Sequence, residues 1–486
     1  MPNKKKDTSD QTSRRGFLQA TAATSFGAYF SSVAASSAWA ADFKSPNEQP
    51  GVAFVGAGIR YHTYHGKHAL KFGPCIGIAD VDGVQLGRAQ QVAIDIHRAN
   101  NRPIVVGAHE DYRRLLDNKE VDVVVIGSVD HWHTKIAIDA MNAGKDVYAE
   151  KPLTLTIREG QQILAAMKKT GRVVQVGTQQ RTEFAQRFAQ AAAMMRDNRV
   201  GEVSKVTVCI GGSRDAVTLP KCDPPKSLNW NEWLGQCPMV DYRAQSEIVD
   251  TTGWGAGFPF GRAHRYYRWF YEYSGGKLTD WGAHHVDVAM WSLNKLGDDI
   301  GKITIDPLDV THPVEFVDGM PQRDDMFNCA TKFNVKCTFA DGLDMYVRDN
   351  APKLGFDNGI MFEGNQGRFL VNRGKIVGKP VEMLKDKPLA GDAIGKLYVD
   401  DPTGTEGFGE DGFHMKNFME CIKSRKTPAS DVQSHHRMLN VCHAINVAMR
   451  LGRKVVFDPK TEDFGDDKQA NSFVQREQRK GYETSV

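Results

Sequence analysis

Three residues in this chain carry side chains suited to taking a proton and steadying a developing negative oxygen: Lys151, Asp280 and His284. Lys151 closes the stretch Asp146-Val147-Tyr148-Ala149-Glu150-Lys151-Pro152, which reads as a short buried strand, Val147 to Ala149, ending in a lysine. Proline disfavours the helical region for the residue before it, so Lys151 is expected to be held extended where the strand stops. Asp280 and His284 stand four apart, and on a helix positions i and i+4 share a face, with Asp287 a turn further on. A histidine beside a carboxylate can accept a proton near neutral pH, and a lysine ammonium can stabilise an alkoxide. Together they suit removal of a hydroxyl proton. Singly, each has a plainer reading: a lysine in a surface turn, an aspartate capping a helix, a hydrogen-bonded core histidine.

Such groups need a frame, and the sequence before Lys151 supplies one. Gly51-Val52-Ala53-Phe54-Val55-Gly56-Ala57-Gly58 is an apolar strand running into a glycine turn. Gly56 permits the turn, and Gly58 lets a pyrophosphate approach the N-terminus of the helix that Ile59 opens. Tyr61 occupies the third glycine position of the G-x-G-x-x-G pattern, so the fingerprint is incomplete. A second strand, Ile76 to Ala79, ends in Asp80, placed to bond ribose hydroxyls and to repel a 2′-phosphate. NAD is therefore expected over NADP. Val123 to Ile126 is an unbroken apolar run, the mark of a central parallel strand. Ser128-Val129-Asp130-His131-Trp132-His133 follows it, then an alanine-rich helix that Gly144 can end. The histidine pair has no third ligand at a readable spacing, so no metal site is expected. Gly56, Gly58, Ile59, Asp80, Ser128, Asp130, His133, Glu150 and Lys151 form the expected cofactor wall, with Asp130 and His133 on the nicotinamide ribose side.

After Val173-Val174-Gln175-Val176-Gly177 the strand–helix alternation stops. Val203 to Ile210, Asn328 to Phe339 and Asp344 to Val347 read as antiparallel strands, and Met361-Phe362-Glu363 turns through Asn365-Gln366-Gly367 into Arg368 to Val371. Asn372-Arg373-Gly374 makes a further turn, and Asp411 to Leu451 is helical, with Phe413, Phe418, Met419, Val441, Ile445 and Met449 facing inward. Between residues 254 and 273 stand nine aromatics, against 9% for the whole chain. They suit stacking against sugar rings, with Arg262, Arg265 and Arg268 holding hydroxyls or a carboxylate, and they equally suit a core or a subunit interface. Arg181, Arg268, Trp269, Asp280 and His284 are the expected substrate contacts.

The first forty residues are a targeting segment and stand apart from the fold. Lys4, Lys5 and Lys6 precede Ser13-Arg14-Arg15-Gly16-Phe17-Leu18, and Ala38-Trp39-Ala40 fits a small-x-small cleavage site. The paired arginines resemble a twin-arginine export signal, which implies a folded protein delivered to the periplasm. That segment carries a net +3, equal to the net charge of the whole chain, so the remainder is formally neutral. A neutral body argues against nucleic acid as the main partner, and no apolar run beyond residue 40 suits a membrane span. The eight cysteines include no C-x-x-C pair, and a chain that folds before export is expected to keep most of them free.

Gly56-Ala57-Gly58, Asp130-His131-Trp132-His133, Glu150-Lys151-Pro152 and Asp280-x-x-x-His284, in this order, resemble the Gfo/Idh/MocA oxidoreductases over about residues 49 to 460. The resemblance implies an α/β chain: an N-terminal Rossmann dinucleotide-binding domain (49–173) and a C-terminal α/β domain (174–452) with an open, largely antiparallel sheet that pairs copies into homodimers or homotetramers. A tail (453–486) would follow. It implies Lys151, Asp280 and His284 as the catalytic set, with His284 as the base for hydride transfer between a sugar or cyclitol alcohol and tightly bound NAD. Outside the cytosol a released NADH would be lost, so NAD must be regenerated within each turnover. Coupled oxidation and reduction of two sugars satisfies this, and so does glycoside cleavage through transient oxidation.

Overall fold

The computed structural model describes residues 49–249 and 258–486. The paired-arginine segment and Trp254 of the aromatic run lie outside the described residues.

β1 (Val52–Val55) and β4 (Val123–Ile126) are apolar and buried at every position. Strands of this kind need cover on both faces, and they sit at the centre of a parallel sheet. With β2 (Cys75–Ala79), β3 (Gly107–His109), β5 (Asp146–Ala149) and β6 (Val174–Val176), the spatial order is β3-β2-β1-β4-β5-β6. Val52 pairs with Cys75 on one side and Val123 on the other. The strand order reverses between β1 and β4, so the loops leaving them part and open a crevice at their carboxyl ends. β6 lies just past the boundary expected at residue 173. The helices between these strands carry the predicted punctuation. Asp82 caps Gly83–Ala99 through the Val84 N–H (3.0 Å), and Thr156 caps Ile157–Thr170 through the Glu159 N–H (3.3 Å). The helix Asp130–Asn142 closes at Gly144, whose φ of +79° suits glycine.

After β6 the burial pattern changes to strict alternation, as in Lys332–Thr338, which marks a sheet covered on one face. The second sheet has eight strands: Ile376–Val377, Gly367–Val371, Asn358–Gly364, Val203–Ile210, Asp344–Arg348, Lys332–Thr338, Ile303–Thr311 and Val455–Phe457, in spatial order. Val203–Ile210 and Asp344–Arg348 run parallel; the other neighbours are antiparallel. Val455–Phe457 carries this sheet into the segment expected as a tail. Beyond it the chain is held by side chains, with Arg476 donating to the Glu272 carbonyl (3.0 Å) and the Tyr482 hydroxyl to Glu232 (2.5 Å).

One helix matters most for the site. Gly282–Ser292 is buried at every residue, because it is packed among the second sheet, Arg187–Arg196 and Val432–Leu451. The last of these is capped at Asp431 and closed by Gly452. Phe413, Phe418, Met419, Val441, Ile445 and Met449 are all buried, as the helical pattern predicts. All eight cysteines are free, and no described helix is long and apolar enough to cross a membrane.

Candidate active site

The loop after β1 turns at Gly56, with φ +93° and no room for a side chain: an added Cβ would stand 2.4 Å from the Ser128 nitrogen. Gly58 differs. A Cβ there would meet nothing within 4 Å, so the open space lies on the cavity side, before the helix that begins at Ile59. The first N–H groups of a helix have no partner within it, and an anion can reach them across a residue without a side chain. Tyr61 stands where a third glycine would pack a helix tightly onto its strand. Its ring is buried edge-on to Phe54 at 5.0 Å, and its hydroxyl donates to the Ala89 carbonyl at 3.1 Å. The helix widens into a π turn at Tyr61–His65, the place where that bulk enters. Asp80 ends β2 and accepts the N–H groups of Ala57 (2.6 Å) and Asp82 (2.8 Å), so it holds the glycine loop in place. Burial raises its pKa.

These groups line one cavity of about 570 Å³, a volume that suits a cofactor with a small substrate. Lys151, Asp280 and His284 line the same cavity. The Lys151 ammonium donates to the Asp280 carboxylate (2.7 Å) and to the Asp280 carbonyl (2.8 Å). An ammonium has three donors, so one remains for a ligand. Burial opposes charge on Asp280, but Lys151, Arg268 and Lys277 hold its carboxyl far below the usual range. Asp280 ends a short helical turn, Lys277–Asp280, and Trp281 links it to Gly282–Ser292. His284 is therefore one turn beyond Asp280, with its Nδ1 buried and without a hydrogen-bond partner. Its other ring nitrogen, Nε2, is the one that can meet a ligand. Burial first, then the positive charges of Arg373 and Lys151, push the His284 pKa well down, so the ring is neutral at physiological pH.

The structure sorts the remaining expected residues. Ile59 and Ser128 line the cavity. So do Arg268, whose guanidinium lies 4.7 Å from the Tyr267 ring centre and 3.9 Å from Asp280, and Trp269. Asp130 faces the cavity with both oxygens taken, by the Tyr267 and Ser274 hydroxyls at 2.6 Å each. His133 spans the carbonyls of Ser128 (3.0 Å) and Pro152 (2.7 Å), tying the end of β4 to the Lys151–Pro152 peptide, which is cis. A neutral ring donates to one of these carbonyls, and His133 stands in the cavity lining. Glu150 is an anchor: its Oε1 accepts from Arg60 (2.6 Å), His65 (3.1 Å) and Gln179 (3.1 Å). Burial would raise its pKa, yet Arg60 and His65 hold it well below the carboxylate range.

Arg181 corrects the sequence reading. Rather than reaching a substrate, it is buried, donates through two nitrogens to the two oxygens of Asp287 (2.6 and 2.8 Å), and bonds Ser434 at 2.9 Å. Asp287 accordingly faces away from the site. Arg262 is likewise buried, donating to the Tyr273 hydroxyl at 3.0 Å. The aromatic run is chiefly core. Tyr266, Phe270 and Tyr273 pack with Trp233, Tyr242 and Phe327, while Phe258, Tyr267 and Trp269 reach the cavity.

Among the cavity residues that escaped the sequence reading are three cations. Arg60 pairs with Glu150, Lys277 precedes Asp280 by three residues, and Arg373 arrives from the turn after Gly367–Val371. Lys277 adjoins a motif and was legible in principle. Arg373 joins through Gln180, 193 residues away, and no local pattern signals that.

Residues 51–178 match the oxidoreductase family with an NAD-binding Rossmann fold, Gfo/Idh/MocA, and residues 405–484 match the C-terminal alpha/beta domain of the same family. Among curated relatives, a scyllo-inositol 2-dehydrogenase (NAD(+)) of Bacillus subtilis is 31% identical over 169 residues, 35% of this chain and 45% of the relative. A glycosyl hydrolase family 109 protein of Shewanella sp. strain W3-18-1 is 30% identical over 182 residues, 32% of this chain and 37% of the relative. The chain thus spans less than half the length of the curated relatives it matches. The fold matches that of the WlbA dehydrogenase from Bordetella pertussis, solved with NADH and UDP-GlcNAcA, at a TM-score of 0.54 and 17% identity, over 84% of this chain and 98% of that one.

Proposed function

We propose that this chain is an NAD-dependent oxidoreductase acting on a secondary alcohol of a sugar or cyclitol. The observation that carries the reading is the joining, in one cavity, of a glycine loop with Asp80 and a Lys151–Asp280–His284 set. NAD, when bound, supplies the hydride acceptor. The chain's own residues do the rest. Lys151, fixed by two bonds to Asp280, offers its third N–H to the substrate hydroxyl and stabilises the oxygen as it becomes negative. His284, neutral and fixed on a buried helix, takes the hydroxyl proton on Nε2. Asp280 holds Lys151 in place through its carboxylate and its carbonyl. The partial likeness to a glycosyl hydrolase family 109 protein favours a second reading, glycoside cleavage with transient oxidation at the same site.

The Arg14-Arg15 motif supports export by the twin-arginine machinery to the periplasm, folded and with NAD enclosed. A variant with Arg14→Lys and Arg15→Lys should stay in the cytosol; unchanged export overturns this. The open face of the second sheet supports pairing into homodimers or homotetramers, a reading that fails if the purified protein sediments as a monomer.

For the chemistry, purified protein is denatured and released NAD measured, then turnover is followed with substrate deuterated on its ring carbons. Lys151→Ala and His284→Asn should each lower turnover by about 10²-fold or more with NAD content retained, and His284→Asn should leave the melting temperature nearly unchanged. Deuterium passing from one sugar to another marks the oxidoreductase, and solvent hydrogen appearing beside the oxidised carbon marks glycoside cleavage. A folded, NAD-loaded His284→Asn protein with full turnover removes His284 from the mechanism.

A further inference from the structure

The cations lining the cavity are not all matched by anions. Arg60 is paired with Glu150 at 2.6 Å, and Lys151 with Asp280 at 2.7 Å. Arg268 shares that same Asp280 at 3.9 Å. Lys277 and Arg373 have no ion pair among the described residues. Lys277 makes no hydrogen bond either; its ammonium lies 5.7 Å from the Trp281 ring centre and 6.0 Å from that of Trp269. Arg373 donates one nitrogen to Gln180 (3.0 Å) and lies against the same Trp281 ring at 4.5 Å and against Phe184 at 4.7 Å. Arg265, also on the cavity wall, has a buried Nη1 without a partner.

Trp281 stands between Asp280 and His284 in the chain, so both unmatched cations meet an indole within the catalytic turn. The nearby carboxylates are engaged elsewhere. Asp130 is bonded by two hydroxyls, Glu150 by Arg60, and Glu183 by the Tyr64 hydroxyl (2.6 Å) and the N–H groups of Gly412 (3.1 Å) and His414 (3.0 Å). Holding cations partly out of water without counterions is costly, and that cost is recovered when a bound ligand brings an anion. Burial accordingly lowers the pKa of Lys277 and takes that of Arg373 down to about 10. The dinucleotide's own phosphates have the glycine loop at Gly56 and Gly58, and the helix start behind it, to receive them.

We infer that the substrate is an anionic sugar or cyclitol, one bearing a carboxylate or phosphate that Lys277 and Arg373 receive beside Trp281 while Lys151 and His284 engage the reacting hydroxyl. This rests on the function proposed above and names its substrate class. Two features set the expected selectivity. A neutral sugar leaves both cations unmatched, and a charge-assisted contact to either distinguishes anionic from neutral ligands by about tenfold or more.

The test uses the purified, NAD-loaded protein, so that the dinucleotide site is filled. Binding of D-glucuronate, D-glucose 6-phosphate and D-glucose is compared by titration calorimetry, with D-galacturonate, D-galactose 6-phosphate and D-galactose as a second set. The expected result is tighter binding of an acid or a phosphate than of the matching neutral sugar, by about tenfold or more at low salt. The better of the two anions identifies the group. Lys277→Met and Arg373→Met should each shrink that ratio by about tenfold, whatever happens to affinity for the neutral sugar. Circular dichroism and NAD content establish that the variants fold, and the wild-type ratio stands without them. Equal binding of neutral and charged sugars, no saturable binding of any anion, or a ratio unmoved in both variants overturns the inference. Oxidation of neutral sugars without preference for anions would leave the proposed function standing and remove the substrate class. Selective anion binding without hydride transfer would do the reverse.

Discussion

Replacing Asp280 by asparagine tests whether this carboxylate acts on Lys151 or on His284. The Lys151–Asp280 contact is 2.7 Å long, and the two side chains are 14% and 18% exposed. At that distance and an effective dielectric constant of about 20, the gross attraction is roughly 6 kcal/mol, most of it offset by desolvation. Asp280→Asn removes the anion and leaves Lys151, Arg268 and Lys277 around a neutral amide. Orphaning buried charge in this way costs about 3–5 kcal/mol. Lys151→Met is expected to cost less, about 1–3 kcal/mol, because Arg268 and Lys277 still face the carboxylate. In the double variant one of the repelling cations has also gone, so the two losses should not add. A coupling of about 1–3 kcal/mol is expected from urea unfolding at saturating NAD with unchanged m-values. Turnover should fall by a similar factor in all three, because the pair acts as a unit. Additive stabilities, with coupling under about 0.5 kcal/mol, would refute the clamp. So would Asp280→Asn proving milder than Lys151→Met.

Two further outcomes follow from groups at the edges of the site. Asp80→Ala should weaken NAD and narrow the preference for NAD over NADP by about tenfold or more, since it removes a charged hydrogen-bond acceptor worth roughly 1.5–3 kcal/mol, and competitive titration of both dinucleotides checks this. Burial holds the folded-state pKa of His285, His312 and His414 down at about 4 and that of His131 and His443 at about 3. An unfolded imidazole titrates near 6.5, so their contribution is present above that pH and is lost as pH falls, by up to about 1.4 kcal/mol per pH unit for each group. Glu183, raised to about 7 by burial, opposes this with a single proton taken up on the folded side. Melting temperature should drop steeply between pH 6.5 and 5; a flat profile there would contradict the burial of these rings.

What the sequence made legible was whatever depends on near neighbours. The unbroken apolar runs of β1 and β4 require parallel strands covered on both faces, and strand ends in such a sheet converge on one crevice, which is why Gly58, Asp80, Ser128 and Lys151 share a cavity. The four-residue spacing of Asp280 and His284 puts both on that wall through a helical turn. Arg181 was not legible, because a guanidinium near a site and one buried in a core look alike in sequence. Its partner Asp287 lies 106 residues on, inside a helix whose complete burial appears only when three other elements close over it. The aromatic run shows the same limit: composition marks it as an apolar mass without saying which rings face a cavity and which face Trp233 and Phe327.

The long-range contacts explain how a proton acceptor can be fixed so firmly. Gln180, just after β6, donates to the His284 carbonyl (3.3 Å) and meets the His285 ring at 3.1 Å, while its own oxygen accepts from Arg373 at 3.0 Å. His285 also contacts Asn358 on the second sheet at 3.0 Å. One residue leaving the parallel sheet therefore sets both the backbone that carries the base and a cation beside it. Arg181 and Asp287 lock the same helix one turn later, so the backbone that carries His284 is held from both sides. On the proposed reading the substrate is brought to the imidazole by the lysine held by Asp280 and the two cations against Trp281. Selectivity and catalysis then meet, on the same reading, at the turn of chain from Lys277 to His284, which Lys151 and Arg373 reach from other elements.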